Sequence, residues 1–499
     1  MLKNKKVIGK ENYLSKFVTA YSALVIAGLP LVLTNGFYNV TETKAIFYFA
    51  LSCFLIFVSF CFFLCRQIKG KRQSNKGNYN LLDFSIAFYA IFSLVSAVLS
   101  QYPADAWIGE KSRYQGAVTI LLYCVIYFIV SRNYSKSQAF LFSALIAFVI
   151  VSVIGVLNCF DIDVLGFYGD LSQSQKKIYI STIGNVNFYS SYICLLLPLV
   201  IAGFCQTKKF FSQLIYTIAL VVGTFGMMVT SSESFVVGFA GAMLIMPFFF
   251  FRNIDRIKKF LISTVIIVLS AQVYNLIYNM AETKNVEISL LLSVLLKPLV
   301  SGVLIAVCVL TYFALKNRPK KLRAVKITYT TLVLLIFSGV IVCFVLANTK
   351  DIPALNKYFR ISEDWGTYRG EIWSQCVEAF KGFSLKEKLF GIGPEAVYHL
   401  TNTSEVFDSR VIDQAHNEYL QHLLTVGIAG LVSYVSIFVT VLIMLIRKLK
   451  DNALAVGLFA GLASYWIQAV VNIGQPFTTP IMFLYLAYLG GMSYNTHKK

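Results

Sequence analysis

The chain has 499 residues, of which 57% are hydrophobic and only 14% are charged. A soluble globular protein carries about 25% charged residues, so the composition excludes that class and indicates an integral membrane protein. The formal net charge is +20, which would suit a nucleic-acid partner if the charge were gathered in one soluble region.

Apolar runs long enough to cross a bilayer as helices recur along the whole chain. They predict an all-α integral membrane protein, a single polytopic domain over 1–499, with about fourteen transmembrane helices. The first run follows a lysine-rich start without a small-residue cleavage site, so we interpret it as a retained helix. The predicted spans are 17–35, 45–65, 81–100, 116–131, 138–157, 189–205, 211–230, 234–251, 260–279, 289–315, 326–347, 428–446, 453–471 and 477–494.

The basic residues are concentrated in the loops on one side of the predicted membrane. If the N-terminus is inside, alternate loops on the inner side hold 29 of the 44 Lys and Arg residues, whereas the outer loops hold 19 of the 24 acids. This asymmetry follows the positive-inside rule and argues against nucleic-acid binding. It predicts that both termini are cytoplasmic and that the large loop 348–427 is extracytoplasmic. Helices 1 and 2 are expected to carry no charge inside the membrane.

The outer loop after the third helix reads GEKSRYQG (Gly109–Gly116). Arg113 in this loop could reach lipid headgroups along its aliphatic stem. It could equally bind a phosphate, because a guanidinium presents a planar fork of donors.

The next outer loop contains DID (Asp161–Asp163), a weak match to a metal-binding motif. Asn185 and Asn187, at the start of the following helix, could bind sugar hydroxyls or simply cap the helix. Glu233, at a later outer turn, is interpreted as a solvated residue. Cys159 and Cys376 both fall outside and could pair, although two free thiols are the preferred interpretation.

The loop 348–427 holds three of the four histidines. Arg369 and Trp373, four residues apart in a predicted helix 364–380, share a face. The sequence LFGIGPE (Leu389–Glu395) predicts a glycine turn, and His399 is expected to be a solvated loop residue.

A second helix is predicted from Ala415 onward, with His416 and Tyr419 on one face and His422 on another. A histidine at the membrane boundary can be a plain interfacial residue. The outward arginines in its neighbourhood favour a functional His416.

Three blocks together resemble the bacterial O-antigen ligase and polymerase superfamily. They are R-G-x-x-W (Arg369–Trp373), L-F-G-x-G (Leu389–Gly393) and A-H-N-x-Y-L-Q…G-x-x-G-L (Ala415–Leu431), and the resemblance extends over roughly 101–445. Relatives often have an arginine where this chain has TSSES (Thr230–Ser234), so Glu233 cannot supply the corresponding phosphate contact.

The resemblance implies a membrane glycosyltransferase of the C-type architecture (GT-C-like). Such an enzyme moves a glycan from a polyprenyl (undecaprenyl) diphosphate carrier to an acceptor hydroxyl at the outer face of the cytoplasmic membrane. Arg113 and Arg369 would then bind the diphosphate, and His416 would activate the acceptor. Asn185, Asn187, Trp373, Asn417 and Tyr419 are the further candidate substrate-binding residues. No metal or other cofactor is expected, and the transfer would invert the anomeric centre.

The resemblance does not distinguish a ligase from a polymerase, and it does not identify the acceptor or the sugar. The expected partners are the lipid-linked glycan donor, a glycan or lipid-glycan acceptor and membrane lipid. The main alternative is a lipid-linked oligosaccharide flippase or another polysaccharide-export transporter. Transporters place ionisable groups at mid-membrane, and Lys297 is the main candidate here. A structural scaffold would leave the arginine and histidine cluster of the loop unexplained.

Overall fold

The structure is a computed structural model that describes residues 13–69, 79–111, 113–169, 171–403 and 413–495. Residues 404–412 of the predicted outer loop and the chain ends 1–12 and 496–499 lie outside the described residues. Over the described part the chain is an all-α protein of the membrane-spanning type, as predicted.

Helices stand at all fourteen predicted span positions. Twelve helices of the described part are long and apolar enough to cross a membrane, and one further apolar helix, Ala117–Arg132, has 16 residues. The long helices are α1 Tyr13–Leu31, α2 Val40–Ile68, α3 Leu81–Leu99, α5 Ala117–Arg132, α6 Ala139–Cys159, α8 Val186–Gln206, α9 Phe210–Met228, α10 Glu233–Phe250, α11 Ile254–Met280, α13 Pro298–Asn317, α14 Leu322–Thr349, α20 Gly427–Met444, α21 Ala453–Gln468 and α22 Thr479–Asn495.

Shorter elements lie between these long helices, most of them at one end of the bundle. Apart from α16 Trp365–Gly382, which has 18 residues, these helices are short: α4 Pro103–Ile108, α7 Gln173–Lys176, α12 Leu290–Leu296, α15 Pro353–Phe359, α17 Leu385–Phe390, α18 Val397–Thr403 and α19 Glu418–Thr425. The strands β1 Tyr179–Ile180 and β2 Gly184–Asn185 pair antiparallel, with Tyr179 opposite Asn185.

The core of the bundle lies around α8, α21 and α22. Every residue from Thr479 to Ser493 of α22 is buried, and most of α8 and α21 is buried as well. Helix α21 packs on α8 and α10, α22 on α5, and α3 on α20. A helix that is apolar on all sides is expected at the centre of such a bundle, and these contacts place it there.

The contacts divide the helix ends into two groups, as the predicted alternation requires. At one end, Ser96 Oγ and Ser100 Oγ at the end of α3 donate to the carbonyls of Thr425 and Ile392, each at 2.6 Å. At the other end, the buried carboxylate of Asp83 pairs with Arg132 at 3.1 Å and accepts from Tyr494 Oη at 2.6 Å. The parts of the loop around Ile392 and Thr425 therefore lie at the end opposite to Asp83.

Two predictions about the membrane spans are wrong. The single span 289–315 is broken between Lys297 and Pro298, because proline lacks an N–H and restricts the residue before it to extended backbone. Helix α2 begins earlier than predicted and so includes Lys44, which is fully buried. Lys44 Nζ donates to the carbonyls of Leu29 and Pro30 at 2.9 Å and thus satisfies the C-terminal end of α1.

The helices of the 348–427 loop also differ from their predicted form. Residues Gly366, Thr367 and Tyr368 have φ of 63°, 65° and 66°, so α16 is regular only from Arg369 onward. The second helix begins at Glu418 and not at Ala415, with Asn417 as its N-cap. His416 therefore precedes the helix, and the predicted shared helical face with Tyr419 is wrong.

Candidate functional site

Arg113 is presented by a loop whose two ends touch. A Cβ on Gly109 would lie 2.7 Å from the backbone N of Gly116, and a Cβ on Gly116 would lie 2.5 Å from the backbone N of Gly109. Gly109 also has a φ of +91°, which side chains rarely tolerate. The two glycines thus close the loop and hold Arg113 in place, and its Nη2 forms an ion pair with the carboxylate of Asp413.

Helix α16 brings Arg369 and Trp373 to the same region. Trp373 Nε1 donates to the carbonyl of Ala415 at 3.1 Å, and its ring packs against Trp365 with centroids 5.4 Å apart. Arg369 Nη1 donates to the carbonyl of Gly366 at 2.6 Å, while its buried Nε has no protein partner. Trp373 therefore acts as a positioning residue that ties α16 to the backbone beside His416.

His416 sits in a folded-back turn before α19. Its φ is +48°, the N–H of Ala415 donates to Gln421 Oε1 at 2.9 Å, and Asn417 Oδ1 accepts from the N–H of Tyr419 and Leu420 at 3.0 Å. The turn leaves the His416 side chain 35% exposed, with Nε2 3.9 Å from Asp413 Oδ1. Asn417, a candidate substrate-binding residue, thus uses its side-chain oxygen to cap α19.

The charges around His416 favour a neutral imidazole. Burial lowers the pKa of His416 below its ordinary value, the positive charges of Arg369 and Arg113 lower it further, and Asp413 only partly opposes them. For Asp413, burial raises the carboxyl pKa, but the Arg113 guanidinium outweighs burial and holds the pKa below its usual value. A neutral histidine beside two arginines can accept a proton where an anion is bound.

Sequence reasoning missed two residues of this region, Asp413 and Glu395. Glu395 is 8% exposed, has a φ of +60°, and accepts from Gln414 Nε2 at 2.9 Å. Burial raises the pKa of Glu395 to about 7, and the nearby Arg113 opposes the rise. The carboxylate after the glycine turn of LFGIGPE was a signal that could have been used, whereas nothing local distinguishes Asp413.

The turn LFGIGPE docks on the junction between α19 and α20. A Cβ on Gly391 would lie 2.2 Å from the backbone of Thr425, and a Cβ on Gly427 would lie 2.4 Å from the backbone of Leu389. The N–H of Gly393 donates to the carbonyl of Thr425 at 3.0 Å. The two backbones therefore lie in direct contact, and this contact places Glu395 beside Gln414.

A small cavity of about 50 Å³ lies beneath the site. Glu395, Gln414, Glu418, Gln421 and His422 line it. Burial raises the pKa of Glu418 to about 7, and its Oε1 accepts from Tyr434 Oη at 2.7 Å. The atoms Glu418 Oε2 and Gln421 Nε2 are buried without a protein partner, and the volume suffices for ordered water.

The other two histidines of the loop have structural partners. His422 is held by Tyr89 Oη at 2.8 Å and by the carbonyl of Glu418 at 2.6 Å, and burial lowers its pKa to about 4. His399 stacks on Tyr102 with centroids 3.9 Å apart and lies 2.6 Å from Asp105. The prediction of a solvated His399 is therefore wrong, because the ring is packed against the loop before α4.

Three candidate binding residues make structural contacts. Asn185 Oδ1 caps α8 by accepting from the N–H of Asn187 at 2.8 Å, and the carbonyl of Asn187 accepts from Asn472 Nδ2 at 3.2 Å. Tyr419 Oη donates to the carbonyl of Trp466 at 2.7 Å. Its ring packs against Phe438, so the side chain turns toward the bundle and away from His416.

Two acidic motifs noted in the sequence also have structural partners. Glu233 is exposed, as the interpretation of a solvated residue expects. It also accepts from the N–H groups of Leu290 and Leu291 at 2.7 and 3.0 Å and so caps α12. In DID, Asp161 pairs with Lys176 at 2.8 Å and Asp163 accepts from the N–H of Tyr168 at 2.6 Å. Within the described ranges, no three His, Cys, Asp or Glu side chains are grouped as a metal ion would need.

The ten cysteines are free thiols. Cys159 lies in the main core, where its Sγ is 3.4 Å from Tyr274 Oη, and Cys376 lies in a separate cluster with Val397 and Leu424. The preferred interpretation of two free thiols agrees with this placement.

Comparison with known proteins gives one family. The family model described as O-Antigen ligase matches residues 218–435, which include Arg369, Glu395, Asp413 and His416 but not Arg113. No curated protein matches the chain. The match confirms the resemblance of the sequence motifs to the O-antigen ligase/polymerase superfamily over residues 218–435, which are less than half of the chain.

Proposed function

We propose that the protein is a glycosyltransferase that moves a glycan from a polyprenyl (undecaprenyl) diphosphate carrier to an acceptor hydroxyl. The reaction takes place at the outer face of the bacterial cytoplasmic membrane, on the extracytoplasmic loop 348–427. One observation carries the proposal: Arg113 pairs with Asp413, which lies 3.9 Å from His416 Nε2. Trp373 ties the helix that carries Arg369 to the backbone of Ala415 beside the same histidine. The family match supports O-antigen ligase-type activity in general.

The arginines suit a diphosphate leaving group. Arg113 is now paired with Asp413, and both Arg113 Nε and Arg369 Nε are buried without protein partners. A bound diphosphate would replace Asp413 at Arg113 and offer acceptors to the remaining guanidinium donors. Charge-assisted, bidentate contacts of this kind stabilise the negative charge that develops as the phosphate oxygen departs.

His416 supplies the proton acceptor. Its neutral imidazole takes the proton from the acceptor hydroxyl while the hydroxyl oxygen forms a bond to the anomeric carbon. The bond from that carbon to the phosphate oxygen breaks, and the polyprenyl diphosphate leaves with the electron pair. Asp413, 3.9 Å from the ring, then stabilises the imidazolium. Attack opposite the leaving group inverts the anomeric centre, and no step of this scheme uses a metal ion.

Reconstituted vesicles that contain purified protein, lipid-linked glycan donor and acceptor test the proposal. Transfer releases free polyprenyl diphosphate and lengthens or modifies the acceptor, both of which can be measured by mass spectrometry. If the intact donor only changes leaflet, the alternative of a flippase is correct. The glycan profile of a deletion strain separates the two transfer reactions: shortened chains indicate a polymerase, and unattached chains indicate a ligase.

A further inference from the structure

A second and much larger cavity, of about 1050 Å³, lies at the other end of the bundle. It is lined by the ends of α6, α8, α9 and α22. The apolar residues of the lining, among them Phe140, Leu145, Leu199 and Val200, are together called the apolar floor. The candidate transfer site lies near Asn185 at the start of α8, whereas this cavity is at the end of α8. A helix of 21 residues is roughly 30 Å long, so the two sites are distinct.

Basic side chains surround the opening of this cavity. Lys136 comes from the connection before α6, Lys208 and Lys209 from the connection before α9, and Lys448 from the segment after α20, and all four are exposed. The acid at the cavity, Asp451, pairs with Arg252 at 3.4 Å. The rim is therefore strongly positive above an apolar interior.

Two long helices begin at the same rim. The N-cap residues of α6 and α9 are Gln138 and Lys209, and neither side chain caps its helix. Gln138, Lys209 and Ser212 line the cavity. The first turn of a helix has N–H groups without intrahelical partners and a partial positive charge, so the helix starts add to the attraction that the lysines exert on an anion.

We propose that this cavity binds an anionic phospholipid, with the phosphate at the lysine rim and an acyl chain along the apolar floor. Inorganic phosphate would use the rim but leave the floor without a partner. A zwitterionic lipid would match the floor but not the excess of positive charge. The volume is at the upper end of the range for small-molecule sites, and basic pockets between membrane helices are suited to lipid headgroups. The bound lipid would hold α6, α9 and α22 together at this end.

Thermal unfolding of the full-length protein in neutral detergent tests the proposal. Phosphatidylglycerol should raise the Tm in a saturable way, whereas phosphatidylcholine and inorganic phosphate should not. The double variant Lys208→Gln/Lys209→Gln should weaken the phosphatidylglycerol response about tenfold or more, since each basic residue near the headgroup adds to the attraction. The matched control is Lys320→Gln/Lys321→Gln, which removes two adjacent exposed lysines between α13 and α14 that do not line the cavity.

A third variant keeps the charges and fills the floor. Leu141→Trp replaces a leucine of the lining by a larger side chain and should also weaken the response to phosphatidylglycerol. This variant tests the proposal independently if the lysine variant folds poorly. Equal loss in both lysine double variants would show general surface attraction and overturn the proposal. An equal response to phosphatidylcholine would overturn it too, and a response to phosphate alone would replace the lipid by a free anion.

Discussion

At the scale of single residues, the proposed reaction depends most directly on His416. The His416→Ala variant should retain its thermal stability, because the ring is 35% exposed, yet lose transfer by roughly 100- to 10,000-fold. Transfer is measured in reconstituted vesicles at matched protein level, and donor binding should persist. A His416→Ala variant with nearly wild-type transfer would end the assignment, and substantial activity of His416→Gln would favour a hydrogen-bonding role over proton transfer.

His422 is expected to contribute to stability and not to the chemistry of transfer. Its ring bridges Tyr89 and the carbonyl of Glu418, so His422→Ala should destabilise the fold by about 1–3 kcal/mol through lost buried hydrogen bonds. Its loss of activity should follow the loss of folded protein, as measured by the Tm, while the folded fraction transfers glycan. The two histidines thus separate a chemical effect from a structural one.

Arg369 is expected to serve both the diphosphate and the histidine. Arg369→Ala should reduce transfer severely, and Arg369→Lys should recover only part of it, because lysine lacks the planar fork. The matched control is Arg360→Ala in the same loop, where the exposed guanidinium pairs with Asp351 at 3.1 Å and transfer should be unaffected. Equal activity of Arg369→Ala and wild type would remove Arg369 from the phosphate site.

The pH profile of transfer should reflect the lowered pKa of His416. A base works in its neutral form, so the rate should fall as the pH drops, but only below the ordinary histidine value near 6.5. Removal of a nearby positive charge should raise the pKa of His416, so the residual activity of Arg369→Ala should fall at higher pH than that of the wild type. If the pH profile of Arg369→Ala coincides with that of the wild type, the titrating group is not His416.

Single residues also show where sequence reasoning stopped. Arg113, Arg369 and His416 could be named as candidates because they lie in loops predicted to face outward and in motifs that resemble those of the family. Asp413 could not be named, because only its contact with the distant Arg113 marks it. Glu395 had a local signal in its place after the glycine turn, but its contact with Gln414 could not be predicted. The shared face of His416 and Tyr419 was predicted wrongly because helical spacing alone does not show that the helix starts after His416.

At the scale of elements, the glycine turn Leu389–Glu395 should be intolerant of any side chain at Gly391. Gly391→Ala would force a Cβ into the backbone of Thr425 and impose a φ of +74° on alanine, and the φ alone costs on the order of 1–3 kcal/mol. We expect lost transfer and faster proteolysis of the loop, with the bundle still inserted in the membrane.

Gly382→Ala is the control in the same loop, since nothing lies within 4 Å of its added Cβ. It should leave both transfer and protease resistance unchanged. If Gly391→Ala behaves like Gly382→Ala, the close contact between the turn and the α19–α20 junction is not needed for the site.

Helix α19 should make stability depend on pH through Glu418. Its pKa is raised in the fold to about 7 by burial, so the folded state favours the protonated form. Stability is therefore greatest below the ordinary carboxyl pKa and decreases as the pH rises toward 7. Glu418→Gln, which cannot ionise, should flatten the plot of Tm against pH between pH 4.5 and 7. If the slope is unchanged, the pH dependence of stability comes from other groups, such as Glu395.

At the scale of the whole molecule, the helices could be predicted because apolar runs of bilayer length leave few alternatives. The breaks could not, since they depend on local backbone geometry: Pro298 interrupts one span, and Gly427, with a φ of +75°, separates α19 from α20. Periodicity also cannot show that α22 lies at the centre, whereas most side chains along α14 are exposed.

The proposed orientation of the molecule places the transfer site on the outer side of the membrane and the lysine-rich cavity on the cytoplasmic side. The contacts at the two ends of α3 separate Thr425 from Arg132 and Tyr494, and the charge asymmetry then predicts which end faces outward. Gln173, in the connection between α6 and α8, and Lys320, between α13 and α14, are both exposed and belong to opposite groups. After replacement of the exposed Cys53 and Cys65, Gln173→Cys should react with a membrane-impermeant thiol reagent in intact spheroplasts. Lys320→Cys should react only after permeabilisation, and the reverse pattern would put His416 on the cytoplasmic side, where the proposed outer-face transfer could not occur.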